Sequence, residues 1–360
     1  NRSSLPPGRY PIDTTWSFKA KANNEGLVEK FKARLCARGF RQRWGLDFVE
    51  SYSPVTTLTA WRACIAEAAQ PGWRILVLDI RSAYLMTDLL EAVWLKPFPG
   101  VTPPRPGMIM RLKKCLYGLV QSGRSFNKQF HTRLLEMGMK QSRHEACMYT
   151  YQGKQGQILR LVIHVDDVCI TSNSQQALDT FHEHLLEVYD LSISEDCNKY
   201  LGVTIERLRD GAIQLHQTRY VKDILAKYHH EDCRGANTPA LPGVHLTVDD
   251  CPDTDAEKAL MAAKPFRQLL GSLRHLCDVS RPDLAHAVSA VSRFAHNPGP
   301  VHWTALQHIL KYLKRFPDLC IVYGREREGI PFAPCHGYVD GSWGDCPDSR
   351  RSRTGYCFIA

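Results

Sequence analysis

Three aspartates stand where carboxylates are uncommon. Asp166 and Asp167 separate two apolar runs, residues 158–165 and 168–171, and Asp79 sits near the end of a third, residues 73–80. Converging carboxylates repel one another unless a cation joins them, and oxygen-only ligands suit the hard magnesium ion. Two such ions, roughly 3.5–4 Å apart, can clamp the attacking and leaving oxygens of a phosphoryl transfer. Asp79 and Asp166 are the expected bridging ligands, with Asp167 contributing positioning or charge balance. An Asp-Asp pair alone is a weak signal, because most such pairs are solvated turns. Between two apolar strands it becomes a candidate site, of a kind common to nucleic-acid polymerases and nucleotide cyclases.

The elements that must position these groups follow from periodicity. Residues 73–80 read as a buried strand, and 158–165 with 168–171 as a hairpin whose acidic tip is Asp166-Asp167. Phe126, Phe130, Leu134 and Met137 recur at helical spacing, with Gly138 in the position of a C-terminal cap. Leu178, Phe181, Leu185 and Tyr189 mark another helix, and 199–206 reads as a further strand. The order β-α-β-β-α-β is the split ferredoxin-like arrangement, in which the first strand and the central hairpin are neighbours in one antiparallel sheet. Asp79 and the Asp166-Asp167 tip are then expected at one sheet edge. Residues 237–255, rich in Pro, Gly, Asp and Thr, read as a linker. Residues 258–316 read as helical, with Trp303, Leu306, Leu310 and Leu313 on one face, and strands return from Ile321.

Composition narrows the classes. The chain has 360 residues, 44% hydrophobic and 23% charged, which is ordinary for a globular protein of two or three units. No apolar run approaches the roughly 18–20 residues of a membrane span. The first eight residues do not have the order of a signal peptide, and no initiator Met opens the chain, which points to a fragment or a processed piece. The 13 cysteines include no C-x-x-C pair, so free thiols in a reducing compartment are expected. Within the net charge of +9, Lys30, Lys32, Arg34, Arg38, Arg41 and Arg43 form a cluster able to meet phosphates. His182-Glu183-His184 does not place both imidazoles on one helix face, and 249–255 lacks the Gly and terminal Glu of a calcium loop, so neither is read as a metal site.

The motifs surrounding the aspartates carry a resemblance. Trp16-Ser17-Phe18-Lys19 is followed by Lys32-Ala33-Arg34-Leu35-Cys36-Ala37-Arg38-Gly39-Phe40. Then come Tyr52-Ser53-Pro54-Val55, Leu78-Asp79-Ile80-Arg81-Ser82-Ala83-Tyr84-Leu85, Leu116-Tyr117-Gly118-Leu119 with Gln121, His164-Val165-Asp166-Asp167 and Tyr200-Leu201-Gly202-Val203. In this order, over nearly the whole chain, they resemble the reverse transcriptase of copia-type (Pseudoviridae) LTR retrotransposons, a segment of the Pol polyprotein.

That resemblance implies an α+β right-hand polymerase with fingers, ferredoxin-like palm and thumb over 1–245. A helical connection over 246–330 and a truncated RNase H-like start over 331–360 would follow. It makes Asp79, Asp166 and Asp167 the catalytic, metal-binding aspartates for two magnesium ions, with manganese as a substitute. Lys32, Arg34, Tyr84 and Gln121 would meet the incoming nucleotide, Tyr84 by closing the space of a ribose 2′-hydroxyl. Leu201 and Gly202 match the primer grip, and Asp340 matches the first RNase H carboxylate. The remaining RNase H carboxylates are absent, so no ribonuclease activity is expected of this chain. Implied partners are an RNA or DNA template-primer duplex, dNTPs and other Pol segments such as integrase. The implied location is a cytoplasmic virus-like particle, neither secreted nor membrane-bound. His164 stands in place of the family's Tyr, Arg81-Ser82 in place of two Asn, and Val120 and Gly123 in place of Lys and Pro. These departures keep open a second reading, a catalytically silent remnant that still binds nucleic acid.

Overall fold

Strand alternation and helical periodicity, taken together, build two separate compact units. In the computed structural model the described residues are 5–22, 28–98, 100–101, 108–193, 199–324 and 336–359. By contact, one unit comprises residues 1–64 and 72–197 and the other 65–71 and 198–360.

The first unit opens with an antiparallel ribbon of β1 (Thr14–Ala22) and β2 (Val28–Ala37). Next come α1 (Leu58–Ala68, which the unit boundary divides), β3 (Arg74–Ile80), α2 (Ala83–Met86) and the short pair β4 (Trp94–Leu95) and β5 (Met110–Arg111). The remainder is α3 (Ser122–Glu136), β6 (Lys140–Gln141), β7 (Met148–Gln152), β8 (Ile158–His164), β9 (Asp167–Ser172), α4 (Gln175–Leu186) and β10 (Leu191–Ile193). Its six-stranded antiparallel sheet has the order β10-β3-β9-β8-β7-β6. The expected β-α-β-β-α-β order is present as β3-α3-β8-β9-α4-β10.

One face of this sheet is covered by α3 and α4. Leu78 and Ile80 of β3, Leu159, Leu161 and Ile163 of β8, and Val168 and Ile170 of β9 pack with Phe126, Phe130 and Leu134 of α3 and Leu178, Phe181 and Leu185 of α4. Because side chains alternate along a strand, Asp79, His164 and Asp167 belong to the opposite face. Each of those core side chains is almost entirely removed from water, a stabilisation of about 1.5–3 kcal/mol apiece.

The second unit contains β11 (Lys199–Tyr200), β12 (Val203–Arg207), β13 (Ile213–His216) and α5 (Thr218–Lys227). It continues with α6 (Asp255–Ala262), α7 (Phe266–Val279), α8 (Ala285–Ser292), α9 (Pro300–Arg315), β14 (Ile321–Tyr323), β15 (His336–Gly341) and β16 (Thr354–Ile359). Strands β11 to β14 form a four-stranded sheet, and β15 with β16 a separate ribbon. Leu269, Leu273 and Leu276 of α7 meet Val288 and Val291 of α8 and Leu306, Leu310 and Leu313 of α9 in one core. Trp303 packs at the edge of that core.

Two expectations need correction. Residues 199–206 are not one strand but a tight hairpin, turning at Leu201 (φ 51°) and Gly202 (φ 77°), both left-handed as a type I′ turn requires. The fourth strand of the split arrangement is therefore β10, beside β3. The segment 237–255 is not a bare linker either. Leu246 is buried in the helical core, with Ala240 and Leu241 against it. Residues 325–335, where the connection was expected to give way to the RNase H-like segment, lie outside the described residues. Among the described residues no disulfide joins the cysteines, and no helix is long and apolar enough to cross a membrane.

Candidate active site

The acidic hairpin turns one residue earlier than its spacing suggests. His164 pairs with Asp167 across β8 and β9, leaving Val165 and Asp166 as a two-residue loop. Val165 has φ 61°, a left-handed position for a β-branched residue. Among the described residues Asp166 shows no positive φ, so the loop has the pattern of a type II′ turn. A non-glycine side chain there costs about 1–2 kcal/mol. The turn sets Asp166 at the end of the hairpin and returns Asp167 to the ladder.

Register then places a polar row across four strands. Ser192 pairs with Asp79, Asp79 with Asp167, and Asp167 with His164. The Ser192 hydroxyl donates to Asp79 Oδ2 at 3.4 Å. The Asp166 carbonyl accepts from the Ile80 amide at 2.9 Å, which fastens the turn to β3. Like charges directly opposite in a sheet are destabilising, so the Asp79-Asp167 pair is costly without a cation.

Asp166 carries the same cost. Its carboxyl is pushed above the ordinary carboxylate range, first by burial and then by the neighbouring charge of Asp79, against the pull of Arg34 and His164. Nδ1 of His164 is buried with no hydrogen-bond partner.

Arg34 lies at the exposed side of β2, opposite Ser17, with Lys32 two residues back and paired to Lys19. These residues alternate with Phe31, Ala33 and Leu35, so one face of the ribbon is basic and the other apolar. The Arg34 guanidinium sits 5.5 Å from the Tyr117 ring centroid, within cation–π range. Tyr117 in turn meets Tyr84 edge-on at 5.3 Å. Tyr84 also packs against Phe126, and its hydroxyl is held above the ordinary range by burial and by Asp166. Asp79, Asp166, Asp167, Arg34 and Tyr84 are thus brought together.

Gln121 is not displayed toward that site. It is 1% exposed, its Oε1 accepts from Gln42 at 2.9 Å, and its Nε2 donates to the Asp47 carbonyl at 3.0 Å. An amide engaged at both ends inside the chain has no surface for a nucleotide, so the expected contact is replaced by a positioning role for residues 42–47. Leu201 and Gly202 belong to the second unit, where Gln217 Nε2 reaches the Gly202 carbonyl at 3.5 Å. Asp340 lies on exposed β15, opposite Gly355, and its Oδ1 accepts from the Gly341 amide. Sequence reading missed Ser192 and assigned no role to Tyr117. The first sits on a strand of three residues with no period to detect, and the second stood within a recognised motif.

The three aspartates offer oxygen donors at the acidic edge, and burial opposes the charge of the Asp166 carboxylate. This chemistry fits a hard divalent cation. Among the described residues no three His, Cys, Asp or Glu side chains close on a common point. Magnesium characteristically takes one or two carboxylates plus substrate phosphates, and Asp79 and Asp166 are the residues that would hold it.

A family model described as reverse transcriptase (RNA-dependent DNA polymerase) matches residues 2–242. The chain is 31% identical over 356 residues to the retrovirus-related Pol polyprotein from transposon TNT 1-94 of Nicotiana tabacum, covering 98% of this chain and 26% of that protein. It is 32% identical over 352 residues to the corresponding polyprotein from transposon RE2 of Arabidopsis thaliana, covering 98% of this chain and 23% of that one. The chain therefore spans about a quarter of the length of these curated relatives. A solved foamy viral protease-reverse transcriptase in complex with double-stranded DNA aligns over 93% of this chain and 50% of its own, with a TM-score of 0.46 and 10% identity.

Proposed function

The chain belongs to the reverse transcriptase family, and from that premise we propose that it extends a primer with dNTPs on an RNA or DNA template as part of a copia-type Pol polyprotein. The observation that carries this reading is the acidic edge, where Asp166 and the Asp79-Asp167 pair meet at one end of the sheet face not covered by α3 and α4. Asp79 and Asp166, supported by Asp167, would hold two magnesium ions, with manganese as substitute, which supply the charge that activates a primer 3′-hydroxyl and offsets departing pyrophosphate. Arg34 and Lys32 bind the triphosphate, Arg34 through the paired N–H geometry that suits phosphate oxygens. Tyr117 orients Arg34 through the ring contact, and Tyr84 excludes a ribose 2′-hydroxyl. Ser192 steadies Asp79 by its hydrogen bond.

In this reading the fingers and palm are the first unit, the thumb follows it through residue 245 and includes the primer grip at Leu201 and Gly202. Residues 246–330 form the connection, and 331–360 begin an RNase H-like segment with Asp340 as its first carboxylate. Nucleic-acid contacts are to the backbone, since a polymerase accepts every sequence. Integrase and other Pol segments are further partners, and the location is a cytoplasmic virus-like particle.

Primer extension on an RNA template with dNTPs and magnesium tests the proposal. Wild-type chain should extend where Asp166→Asn does not. Equal extension by both refutes it, and salt-dependent duplex binding without incorporation would instead establish the silent remnant.

A further inference from the structure

The turn between β11 and β12 is short, strained and open on its outer side. Strand β11 has two residues, which pair as Lys199-Thr204 and Tyr200-Val203. Tyr200 and Val203 are buried beneath the turn. Leu201 and Gly202 are both left-handed, a conformation that a leucine side chain disfavours. A Cβ on Gly202 would meet nothing within 4 Å, so no packing from outside holds the backbone there.

Gln217 reaches the turn from inside. Thr204 pairs with His216 at the end of β13, so the next residue, Gln217, comes alongside the turn. Its carbonyl opens α5 by accepting from the Val221 amide at 3.0 Å. The residue is 5% exposed, and both ends of its side-chain amide are engaged. Nε2 meets the Gly202 carbonyl at 3.5 Å and Nε2 of His275, on α7, at 3.5 Å, while Oε1 accepts from the Ser280 hydroxyl at 2.9 Å. One orientation of the amide satisfies all three partners. A carbonyl oxygen cannot donate, so the NH2 group must face Gly202. Oε1 then takes the Ser280 hydrogen, and His275 Nε2 accepts, with its ring proton on Nδ1.

The Ser280 hydroxyl stands on a fixed platform. Ser280 is 1% exposed and closes α7, its amide donating to the Leu276 carbonyl at 3.0 Å. The next residue, Arg281, is also 1% exposed. Its guanidinium pairs with Asp283 at 2.8 Å and donates to the Phe316 carbonyl at 2.8 Å, which ties the end of α7 to the end of α9. A buried polar network with its members satisfied makes rigid what it joins. We propose that Gln217 is a positioning residue for primer extension. It fixes the Leu201-Gly202 turn against α7, so that a primer strand met at that turn presents its 3′ end in one place. The proposal rests on the reading of the turn as the primer grip.

The test is steady-state primer extension on an RNA template, with duplex affinity read by fluorescence anisotropy and the folded fraction by thermal melting. Gln217→Met keeps the shape and removes both polar ends, and Ser280→Ala removes the hydroxyl that orients the amide. Each should lower kcat on the order of 10-fold while duplex affinity and the KM for dNTP hold, since a misplacement of about 1 Å can cost roughly 100-fold. His275 is at the surface, so its variants read the proposal even if those at buried positions fold poorly. His275→Phe keeps a ring beside Tyr220 but offers no acceptor, and should lose several-fold in kcat. His275→Gln restores an acceptor and should recover that loss. Wild-type kcat in Gln217→Met and Ser280→Ala overturns the proposal, as does equal kcat in the two His275 variants. A loss explained by weaker duplex binding or by a smaller folded fraction also overturns it, by making the network a structural support only. A wild type that extends nothing removes the polymerase reading and the positioning role with it. A wild type that extends no better than these variants removes the role of Gln217 alone.

Discussion

Asp166→Asn should stabilise the chain while abolishing its activity, and both effects have one cause. Burial first, and the charge of Asp79 after it, hold the Asp166 carboxyl above its ordinary value of 3.8. The native state therefore keeps this proton to a higher pH than the unfolded chain does. As pH rises from 3.8 through the folded value, the unfolded state binds fewer protons and stability falls. Above the folded value the full penalty remains, and an isosteric amide removes it. Arg34 and His164 favour the charged form, but burial is the largest influence and sets the sign. On the proposed reading magnesium should reverse the order by binding only the folded carboxylates. At ten times its dissociation constant it adds RT ln 11, about 1.4 kcal/mol, or roughly 3–6 °C for a unit of this size. Calorimetry in EDTA should show the variant melting above wild type, and magnesium should raise wild type alone. A variant that melts lower in EDTA, or gains the same magnesium shift, refutes the reasoning.

The glycines make a paired prediction. A Cβ on Gly118 would lie 2.1 Å from the Ala37 carbonyl oxygen at φ +85°, whereas one on Gly202 meets nothing within 4 Å at φ +77°. Gly118→Ala should cost about 3 kcal/mol or more, from left-handed strain and overpacking, and Gly202→Ala about 1 kcal/mol from strain alone. Urea midpoints at unchanged m-value would separate them. His302 is fully buried, stacks on Phe294 at 4.0 Å, and is held below its ordinary value of 6.5 chiefly by that burial. The unfolded chain protonates first as pH falls, so stability is complete above 6.5 and lost below it. Melting curves stepped downward from pH 7 should show this, and His302→Gln should flatten the dependence.

The sequence makes visible whatever repeats locally. Strands β3, β8 and β9 and helices α3 and α4 announced themselves by period, and the place of β3 beside the β8-β9 hairpin followed from their order along the chain. The hairpin of β11 and β12 was hidden because Tyr200, Leu201 and Val203 read as one apolar run, with a left-handed leucine inside it. β10 has three residues, too few to show alternation. The acidic turn was placed a residue late because valine seldom occupies a left-handed loop position. Gln121 was expected near the incoming nucleotide, and only the fold brings Gln42 and Asp47 to its amide. Gly39 and Gly118 had no visible reason in sequence. Each would drive a Cβ into the backbone of the other's segment, at 2.0 and 2.1 Å, where the Ala37 amide donates to the Tyr117 carbonyl. The close approach that fastens β2 near Tyr117 thus requires both.

The cost concentrated at the acidic edge bears on whether the site is used. Val165 is strained by about 1–2 kcal/mol, and Asp79 opposes Asp167 across the ladder. Asp166 is charged against burial, and His164 Nδ1 lacks a partner, worth about 1–3 kcal/mol for a buried group. Together these amount to several kcal/mol, a large part of the roughly 5–15 kcal/mol by which a domain is stable. The helix-covered face of the same sheet carries apolar side chains with no comparable burden. Were the edge idle, single substitutions there would raise stability with nothing lost, glycine at 165 or an amide at 166 among them. The chain retains the costly residue at each of these positions. A cation and a triphosphate at that edge would offset the repulsion, which is the physical reason to prefer a working site over a silent one.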